Sequence, residues 1–297
     1  MADPVAHAVV HTLDEAMALV RSGDTIATSG FVGCGTPDAL LEGLARRFRE
    51  TGEPAGLTLY FAAGQGDGGE RGLNRLAVPG LLKRVVGGHW GLIPKVAALA
   101  VSGEIEGWNL PQGVVSRLYR DIAAGLPGTV SRIGLHTFVD PRSEGGRVNT
   151  RSTEDLVEVI SLGGEELLFY HARPIDVALL RGTSADELGN VSMEREALTL
   201  DNLAMASAAR NSGGRVIVQV ERIVQAGSLN PRLVKIPHIL VDAVVLAPPE
   251  LHGQTYATPF NPGYAHEVRI PLSMIPPMPM SERKVTARRA AFELPDG

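Results

Sequence analysis

The chain has 297 residues, a hydrophobic fraction of 44%, a charged fraction of 21% and a formal net charge of −5, values typical of a folded globular protein. We expect no membrane span, because no run of about 18 apolar residues occurs, and no nucleic-acid partner, because the net charge is acidic. The sole cysteine, Cys34, excludes an internal disulfide; together with an amino terminus that lacks a secretory pattern, it predicts a cytoplasmic protein.

Apolar strands are predicted to alternate with helices along the chain. Thr12-Leu13-Asp14-Glu15 is a capping box that opens a helix reaching about Val20. The other predicted elements are strands at 25–29, 57–63, 85–88, 167–170, 177–181, 216–221 and 243–246, and helices at 37–49, 94–101, 111–124 and 196–210. Strands that are apolar throughout and alternate with helices indicate an α/β fold with an open, mostly parallel sheet and helices on both faces. Ligands of such sheets bind at the carboxyl ends of the strands.

A glycine-rich turn at residues 29–37, which we call the first glycine loop, follows the first of these strands. We expect Thr36 to cap the next helix, with Pro37 at its first position and Asp38 in its first turn. Glycines let another group approach the main chain closely, and a helix N-terminus offers unpaired N–H groups to a carboxylate or phosphate. The loop therefore predicts a site for an anionic ligand.

A second glycine cluster admits a dinucleotide-binding interpretation. Gly64-x-Gly66-x-x-Gly69 follows a predicted strand, but the pattern requires a helix directly afterwards and an acidic residue about 20 residues later. Pro79 interrupts the following stretch, and the segment 83–90 contains no acidic residue. We therefore disfavour a nicotinamide-dependent dehydrogenase. Neither glycine loop has the Lys-Ser/Thr ending of a phosphate-binding P-loop.

Neither the cysteine nor the paired histidines of the sequence are interpreted as functional residues. Cys34 lies where a helix N-terminus can lower a thiol pKa, but no histidine base is near it in sequence, so we favour the interpretation that the loop requires a small residue there. His7 and His11 have i,i+4 spacing without a third ligand, and we predict no metal site from them.

The acidic residues of the second half of the sequence admit catalytic and structural roles. Glu221 ends an apolar strand at a position where a catalytic carboxylate could stand, but an ion pair with its neighbour Arg222 explains it at least as well. We interpret a loop-associated acidic cluster as solvated surface and not as an acid/base pair; its members are Asp186, Glu187, Glu194 and Glu196.

Several motifs occur in order along the chain. They are Ser29-Gly30-Phe31-Val32-Gly33-Cys34-Gly35-Thr36-Pro37, Ala62-Ala63-Gly64-Gln65-Gly66-Asp67-Gly68, Gly87-Gly88-His89-Trp90-Gly91, Asn109-Leu110-Pro111-Gln112-Gly113, Phe138-Val139-Asp140-Pro141-Arg142, Arg181-Gly182-Thr183-Ser184-Ala185-Asp186 and Val218-Gln219-Val220-Glu221-Arg222. Together they resemble the family I CoA-transferases of the acetate/propionate and 3-oxoacid type, whose pattern Gly-Gly-Phe-x-x-x-Gly-x-Pro stands here with Ser29 as its first residue. The likeness is strongest to the amino-terminal, α-type half of single-chain transferases in which two halves are fused.

The resemblance implies covalent catalysis by carboxylate exchange. In that family a glutamate attacks an acyl-CoA to give a mixed anhydride, and CoA thiolate then attacks the glutamyl carbonyl to leave an enzyme–CoA thioester. The incoming carboxylate reverses these steps. The nucleophilic glutamate belongs to the family's second half, beyond this sequence, and Glu221 matches a family position that is not the nucleophile. We therefore expect no catalytic residue and no metal in this chain, and no cofactor other than the CoA thioester that serves as substrate.

The resemblance also implies which residues line a cleft facing the missing half. Gln112 would donate its amide to a substrate carboxylate, although a role as a helix cap explains it almost as well. The partners implied are a complementary β-type half or subunit, an acyl-CoA and a short-chain carboxylate, and an open apolar cleft wall predicts an oligomer. The cleft residues are Gly30, Phe31, Gly33, Gly35, Gly64, Gln65, Gly66, Gly88 and Gln112.

The end of the sequence changes character. Residues 275–279, Ile-Pro-Pro-Met-Pro, are typical of an extended linker, and Ser281 is predicted to cap a basic helix at 282–294. We divide the chain into an α-type domain at 1–275 and a proline-rich linker with a helix at 276–297 that leads into an absent second half. A non-enzymatic module that senses sugar phosphates or another small anion, related in fold to sugar-phosphate isomerases, is the alternative interpretation of the same loops.

Overall fold

The computed structural model describes residues 9–295. Within this range the α-helices are α1 (Leu13–Met17), α2 (Asp38–Thr51), α3 (Pro94–Val101), α4 (Gln112–Ala123), α5 (Asn202–Asn211) and α6 (Glu282–Ala291). The strands are β1 (Val10–His11), β2 (Thr25–Thr28), β3 (Leu57–Phe61), β4 (Leu82–Gly87), β5 (Glu106–Asn109), β6 (Gly128–Ser131), β7 (Val157–Leu162), β8 (Glu165–His171), β9 (Val177–Arg181), β10 (Ser184–Asp186), β11 (Val191–Ser192), β12 (Arg215–Val220), β13 (Arg222–Val224), β14 (Val234–Ile236) and β15 (Ala243–Leu246).

The largest sheet has eight strands in the order β1-β15-β12-β9-β2-β3-β4-β5. Every neighbouring pair in it is parallel. The strand order reverses between β9 and β2. From β2 the chain adds β3, β4 and β5 on one side, and it then returns to add β9, β12 and β15 on the other side, next to the edge strand β1. The carboxyl ends of these strands therefore meet at one edge of the sheet, and the predicted α/β fold with a mostly parallel sheet is confirmed.

Helices cover both faces of this sheet, and successive strand residues point to opposite faces. In β9, Val177 and Leu179 belong to the core that packs against α1, α2 and α3. The intervening Ala178 and Leu180 belong to the core that packs against α4 and α5. Both sides of each central strand are thus buried, which is why the strand sequences are apolar throughout.

Two smaller sheets lie outside the parallel sheet. One has the order β13-β10-β11-β14 and the other the order β6-β8-β7. The predicted strand 167–170 lies in β8, which pairs antiparallel with β6 and β7 outside the parallel sheet. The physical reason is the turn before it: Gly163 and Gly164 both have positive φ, as a two-residue type I′ hairpin requires.

The predicted helices are present; the ends of α3 are as predicted, and those of the other helices differ. The capping box at Thr12 and Glu15 forms as predicted, but α1 ends at Met17. The helix predicted from Glu196 begins only at Asn202, because Glu196 is buried in an ion pair with Arg181.

Residues after β15 leave the sheet. Residues 249–263 fold back over the first glycine loop, whereas residues 271–283 are exposed along nearly their whole length. Ser281 caps α6 as predicted, with its hydroxyl accepting a hydrogen bond from the Lys284 N–H at 3.2 Å. Asp296 and Gly297, at the end of the predicted linker and helix, lie outside the described residues.

Between residues 9 and 295 no helix combines the length and the apolar composition needed to cross a membrane. In the same range no three His, Cys, Asp or Glu side chains come close enough to hold a metal ion. His7, considered above with His11, lies outside the described residues.

Candidate functional site

Loops that follow β2, β3, β4 and β5 meet at the carboxyl edge of the parallel sheet. Gly66 N–H donates to the Val32 carbonyl at 3.0 Å and joins the second glycine loop to the first. Gly64 N–H donates to the His89 carbonyl at 2.6 Å and joins the second loop to the one after β4. Both bonds join main-chain groups, so the three loops are held to one another by their backbones.

Close approach of the loops requires glycine at particular positions. A Cβ on Gly66 would lie 2.2 Å from the Leu92 carbonyl oxygen, and one on Gly88 would lie 2.5 Å from the Cα of Gln112. No side chain fits at these distances. The absence of a side chain at Gly88 lets the loop after β4 pack against the start of α4.

The predicted cleft residues all lie at this one edge of the sheet. They are Gly30, Phe31, Gly33, Gly35, Gly64, Gln65, Gly66, Gly88 and Gln112.

The tip of the first glycine loop is a strained hairpin. Phe31 and Cys34 exchange main-chain hydrogen bonds of 2.9 and 3.0 Å across a two-residue turn. Val32, the first residue of that turn, has a φ of 58°, a conformation that glycine adopts easily and a β-branched residue rarely does. Holding valine there costs about 1–3 kcal/mol. Phe31 and Val32 are each 39% exposed, so the strained turn presents apolar side chains to the outside.

The N-terminus of α2 differs from the prediction. Pro37, and not Thr36, is the N-cap residue, and no side chain at that position caps the helix. The Oε1 atom of Gln219 instead accepts hydrogen bonds from the N–H groups of Ala39 at 2.9 Å and Leu40 at 3.3 Å. The expectation that this helix end offers free N–H groups to an anion was therefore wrong, because a side chain from β12 already occupies them.

The two predicted glutamines have different environments. Gln65 is fully buried, and its Nε2 donates to the Thr28 carbonyl at 2.9 Å, so its side chain holds the second glycine loop to β2. Gln112 is exposed at the first position of α4, after Pro111. It accordingly has the freedom to contact a ligand that Gln65 lacks.

Cys34 is not an activated thiol. Burial raises the pKa of its thiol, and the nearby Arg181 offsets that rise only in part. A raised pKa keeps the thiol protonated near neutral pH, where a nucleophile would need the thiolate. The interpretation of Cys34 as a small residue required by the loop fits this environment.

A buried polar network lies directly behind the first glycine loop. Arg181 and Glu196 form an ion pair with an N–O distance of 3.0 Å, and their side chains are 4% and 2% exposed. The Nδ1 atom of His252 lies 2.9 Å from the Nε2 of Gln219, and the His252 Nε2 lies 3.6 Å from Glu196. Burial lowers the pKa of His252, so the ring is neutral at pH 7.

The interpretation of the acidic cluster as solvated surface was wrong for two of its members. Glu196 is 6% exposed and Asp186 is 1% exposed, the latter because its carboxylate accepts hydrogen bonds from the Leu188 and Asn190 N–H groups. Glu187 is exposed as expected.

Glu221 is in an ion pair, but not with Arg222. Its carboxylate lies 3.2 Å from the Nε of Arg195, while Arg222 pairs with Glu194 at 2.7 Å. Glu221 lies in the bend between β12 and β13, and Arg222 is the first residue of β13, so the two consecutive side chains find different partners.

Sequence reasoning missed Arg181, Gln219, His252 and Tyr256 as site residues. A charged residue at the end of the otherwise apolar β9 was the available signal for Arg181. A cavity of about 130 Å³ lies between the first glycine loop and residues 249–259, with Thr36, Arg181 and Tyr256 among its lining residues.

A family model described as Coenzyme A transferase matches residues 10–247. The chain belongs to the coenzyme A transferase family. The match covers the parallel sheet and the loops at its carboxyl edge. The local structure also disfavours dinucleotide binding, because the second glycine cluster leads into a 3₁₀ turn at Leu73–Leu76 and not into the helix that such binding requires.

Similar proteins carry transferase names. The chain is 45% identical over 284 residues to the caffeate CoA-transferase of Acetobacterium woodii, covering 95% of this chain and 54% of the relative. It is 38% identical over 260 residues to the acetate CoA-transferase YdiF of Escherichia coli K12, covering 87% of this chain and 48% of the relative. The crystal structure of the acyl-CoA transferase YdiF from E. coli O157:H7 as a thioester complex with CoA superposes with a TM-score of 0.90 at 35% identity, over 97% of this chain and 55% of that one. The chain thus spans about half the length of these relatives.

Proposed function

We propose that this chain is the α-type half of a family I acyl-CoA:carboxylate CoA-transferase that acts on acetate, propionate or short-chain 3-oxoacids. The observation that carries the proposal is the convergence of the predicted cleft residues, from loops far apart in sequence, at one sheet edge in a member of the coenzyme A transferase family. The transferase names of its relatives support the same reaction class.

The proposed reaction passes through a glutamyl-CoA thioester. A glutamate carboxylate attacks the acyl-CoA carbonyl, and the C–S bond breaks to release CoA thiolate and leave an acyl-glutamyl anhydride. The thiolate then attacks the glutamyl carbonyl and expels the first carboxylate, and the incoming carboxylate reverses both steps. This chain supplies the first glycine loop and Gln112 as a wall that orients the acyl group and excludes water from the hydrolysable intermediates.

Carboxylates of the described residues near this edge support a nucleophile located elsewhere. Asp38 receives two hydrogen bonds from the Arg75 guanidinium, of 2.8 and 2.9 Å. Asp67 pairs with Arg71 at 3.1 Å, and Glu196 is the buried partner of Arg181. A carboxylate bound by a guanidinium is a weak nucleophile, because attack must break that interaction. Glu250, on the outer wall of the cavity, is exposed and is the rival that an experiment must exclude.

The partner proposed is a β-type half that covers the carboxyl edge. Phe31 and Val32 are exposed there, and such apolar side chains at a loop tip are typical of a surface that another protein covers. Relatives named as α subunits, such as the acetate CoA-transferase subunit alpha of E. coli K12 at 27% identity, support an assembly of two kinds of half.

The proposal is tested by locating the CoA adduct. The chain is incubated with acetyl-CoA alone, and also after co-purification with the part of E. coli YdiF that it does not match, a preparation we call the mixed assembly. Borohydride reduces the glutamyl thioester to an alcohol, releases CoA and so marks the residue that carried it. Peptide mass analysis should find this mark only in the mixed assembly and only on the YdiF part, and the mixed assembly should also transfer CoA from acetyl-CoA to propionate. A CoA adduct on Glu250 or on any other residue of this chain, or transfer by the chain alone, would refute the proposed division of roles.

A further inference from the structure

Residues 249–263, which we call the strap, cross the outer side of the first glycine loop. They lie beyond the region that the family model matches, which ends at residue 247. The buried Arg181 joins the two segments, because its Nη1 donates to the Gly253 carbonyl at 2.8 Å and to the Thr36 carbonyl at 3.4 Å. One guanidinium therefore fixes the strap against the end of the loop.

The strap is also fixed along its length. The Gln254 side chain donates to the Arg195 carbonyl at 2.8 Å and accepts a hydrogen bond from the Asn261 N–H at 2.8 Å. The Arg195 guanidinium lies over the Phe260 ring at 3.7 Å from its centroid, a distance at which a cation–π contact is favourable. Contacts on both sides of residues 255–259 hold the middle of the strap in place.

Tyr256 projects from this middle portion into the gap between two glycine loops. A Cβ on Gly33 would lie 3.1 Å from the Tyr256 Cδ2, and a Cβ on Gly72 would lie 2.7 Å from the Tyr256 hydroxyl. Arg71 holds the ring from a third direction: its guanidinium lies 4.4 Å from the ring centroid, and its Nη2 donates to the Tyr256 carbonyl at 3.1 Å. The ring thus fills a space that exists only because both neighbours lack side chains.

The first glycine loop needs such a restraint, because its tip is strained. Val32 has a φ of 58°. The bonds between Phe31 and Cys34 close the hairpin, and the Gly66 N–H bond to the Val32 carbonyl joins its tip to the second glycine loop, but neither restrains its outer side. Strained backbone conformations persist where the surroundings enforce them. Gly33, the residue after Val32, is the one that the Tyr256 ring contacts.

We propose that Tyr256 is a positioning residue, which holds the first glycine loop in its strained hairpin and so fixes the wall that this loop contributes to the acyl-CoA cleft. The catalytic consequence rests on the proposed function, whereas the restraint itself is a property of this chain. Residues outside the matched family region thereby control the geometry of the loop that carries the family motif.

Cys34 is a built-in probe of the restraint. It lies in the loop, it is the sole cysteine of the sequence and it is half-buried. Its alkylation by iodoacetamide at fixed pH, measured by intact mass, reports how often the loop opens in the folded chain. For Tyr256→Ala we expect the alkylation rate to rise by about tenfold or more, the change that corresponds to a loss of about 1.4 kcal/mol of closing free energy.

Two further variants separate the restraint from general destabilisation. Tyr256→Phe keeps the ring between the glycines and should leave the rate within about twofold of the unmodified chain, as a small perturbation would. Tyr264→Ala removes a tyrosine that is 47% exposed beyond the strap and should also leave the rate unchanged. If Tyr256→Ala does not fold, Arg71→Ala removes the support of the ring from the surface and should accelerate alkylation in the same direction.

An unchanged alkylation rate in a folded Tyr256→Ala chain would overturn the proposal, and so would equal acceleration in Tyr264→Ala. These measurements need neither CoA nor a second polypeptide. Their failure is therefore distinguishable from failure of the proposed transferase reaction, which the location of the CoA adduct decides.

Discussion

Arg181 and Glu196 form a buried ion pair at the carboxyl end of β9, with the guanidinium Nε 3.0 Å from the carboxylate. The arginine uses its remaining donors on main-chain oxygens of Thr36, His252 and Gly253. The pair therefore links the first glycine loop to the strap, and the Glu196 carboxylate neutralises the buried positive charge of Arg181.

Loss of the Glu196 charge should destabilise the whole chain. Glu196→Gln keeps the shape of the side chain but leaves Arg181 as a buried, unpaired cation, which costs about 3–5 kcal/mol. The change is measured as the difference in urea-unfolding free energy. Glu221→Gln is the matched control, because that carboxylate pairs with Arg195 at partly exposed positions and should cost no more than about 1 kcal/mol. Equal losses in the two variants would contradict the importance assigned to the buried pair.

Stability should fall as the pH drops below neutral, with His252 as one cause. Burial lowers the pKa of His252 from its ordinary value of 6.5, so below that pH the unfolded chain binds a proton that the folded chain does not. The stabilisation from the neutral ring is present above pH 6.5 and is lost as the pH falls towards the folded pKa. The pKa of Glu196 is also lowered, which adds a further loss at more acidic pH.

His252→Gln should flatten this pH dependence. Urea unfolding followed from pH 7 to pH 5 should show a smaller slope than the unmodified chain, by up to about 1.4 kcal/mol per pH unit. His238→Gln changes an exposed histidine of the 3₁₀ turn before β15 and should leave the slope in place. An unaltered slope in His252→Gln would mean that the ring does not titrate differently in the two states.

Strand and helix positions could be predicted because their signals are local. The apolar run 177–181 and the capping box at Thr12 show their structure within a few residues. Interactions between distant parts of the chain left no such signal: Gln219 caps α2 at Ala39 across 180 positions of sequence. Glu196 appeared to belong to a solvated loop for the same reason, since only the tertiary structure brings Arg181 to it.

Candidate site residues were predictable to the extent that backbone geometry restricts their identity. Gly66 and Gly88 lie where no Cβ fits, and such positions give a visible glycine pattern. Tyr256 had no comparable signal, because its contacts with Gly33, Gly72 and Arg71 all join it to distant parts of the sequence.

Tight packing of the loop after β4 against α4 makes a prediction about two glycines. Gly88→Ala should destabilise the chain by about 1–3 kcal/mol, as overpacking does, because its Cβ would meet the Gln112 Cα at 2.5 Å. Gly113→Ala is the matched control: nothing lies within 4 Å of the added Cβ, and in a helix this change stabilises by about 0.4–1 kcal/mol. Thermal unfolding of the two variants measures the contrast. A Gly88→Ala chain that is as stable as the unmodified chain would contradict the close approach of this loop to α4.

Gln112 should matter for transfer and not for folding. Its side chain is exposed at the first position of α4, so Gln112→Ala should change the unfolding free energy by no more than about 0.5 kcal/mol. If its amide donates to the reacting carboxylate, as proposed, the same change should lower kcat/KM of the mixed assembly by about 10²-fold, the usual cost of one donor to a developing negative charge. Gln225→Ala, an exposed glutamine after β13 on another sheet, controls for loss of an amide as such and should retain activity. Gln112→Glu should be as slow as alanine, since a second carboxylate repels the anionic substrate. Full activity in Gln112→Ala would contradict the proposed role, and the helix-cap interpretation does not replace it, because Pro111 is the N-cap of α4 and no side chain caps this end.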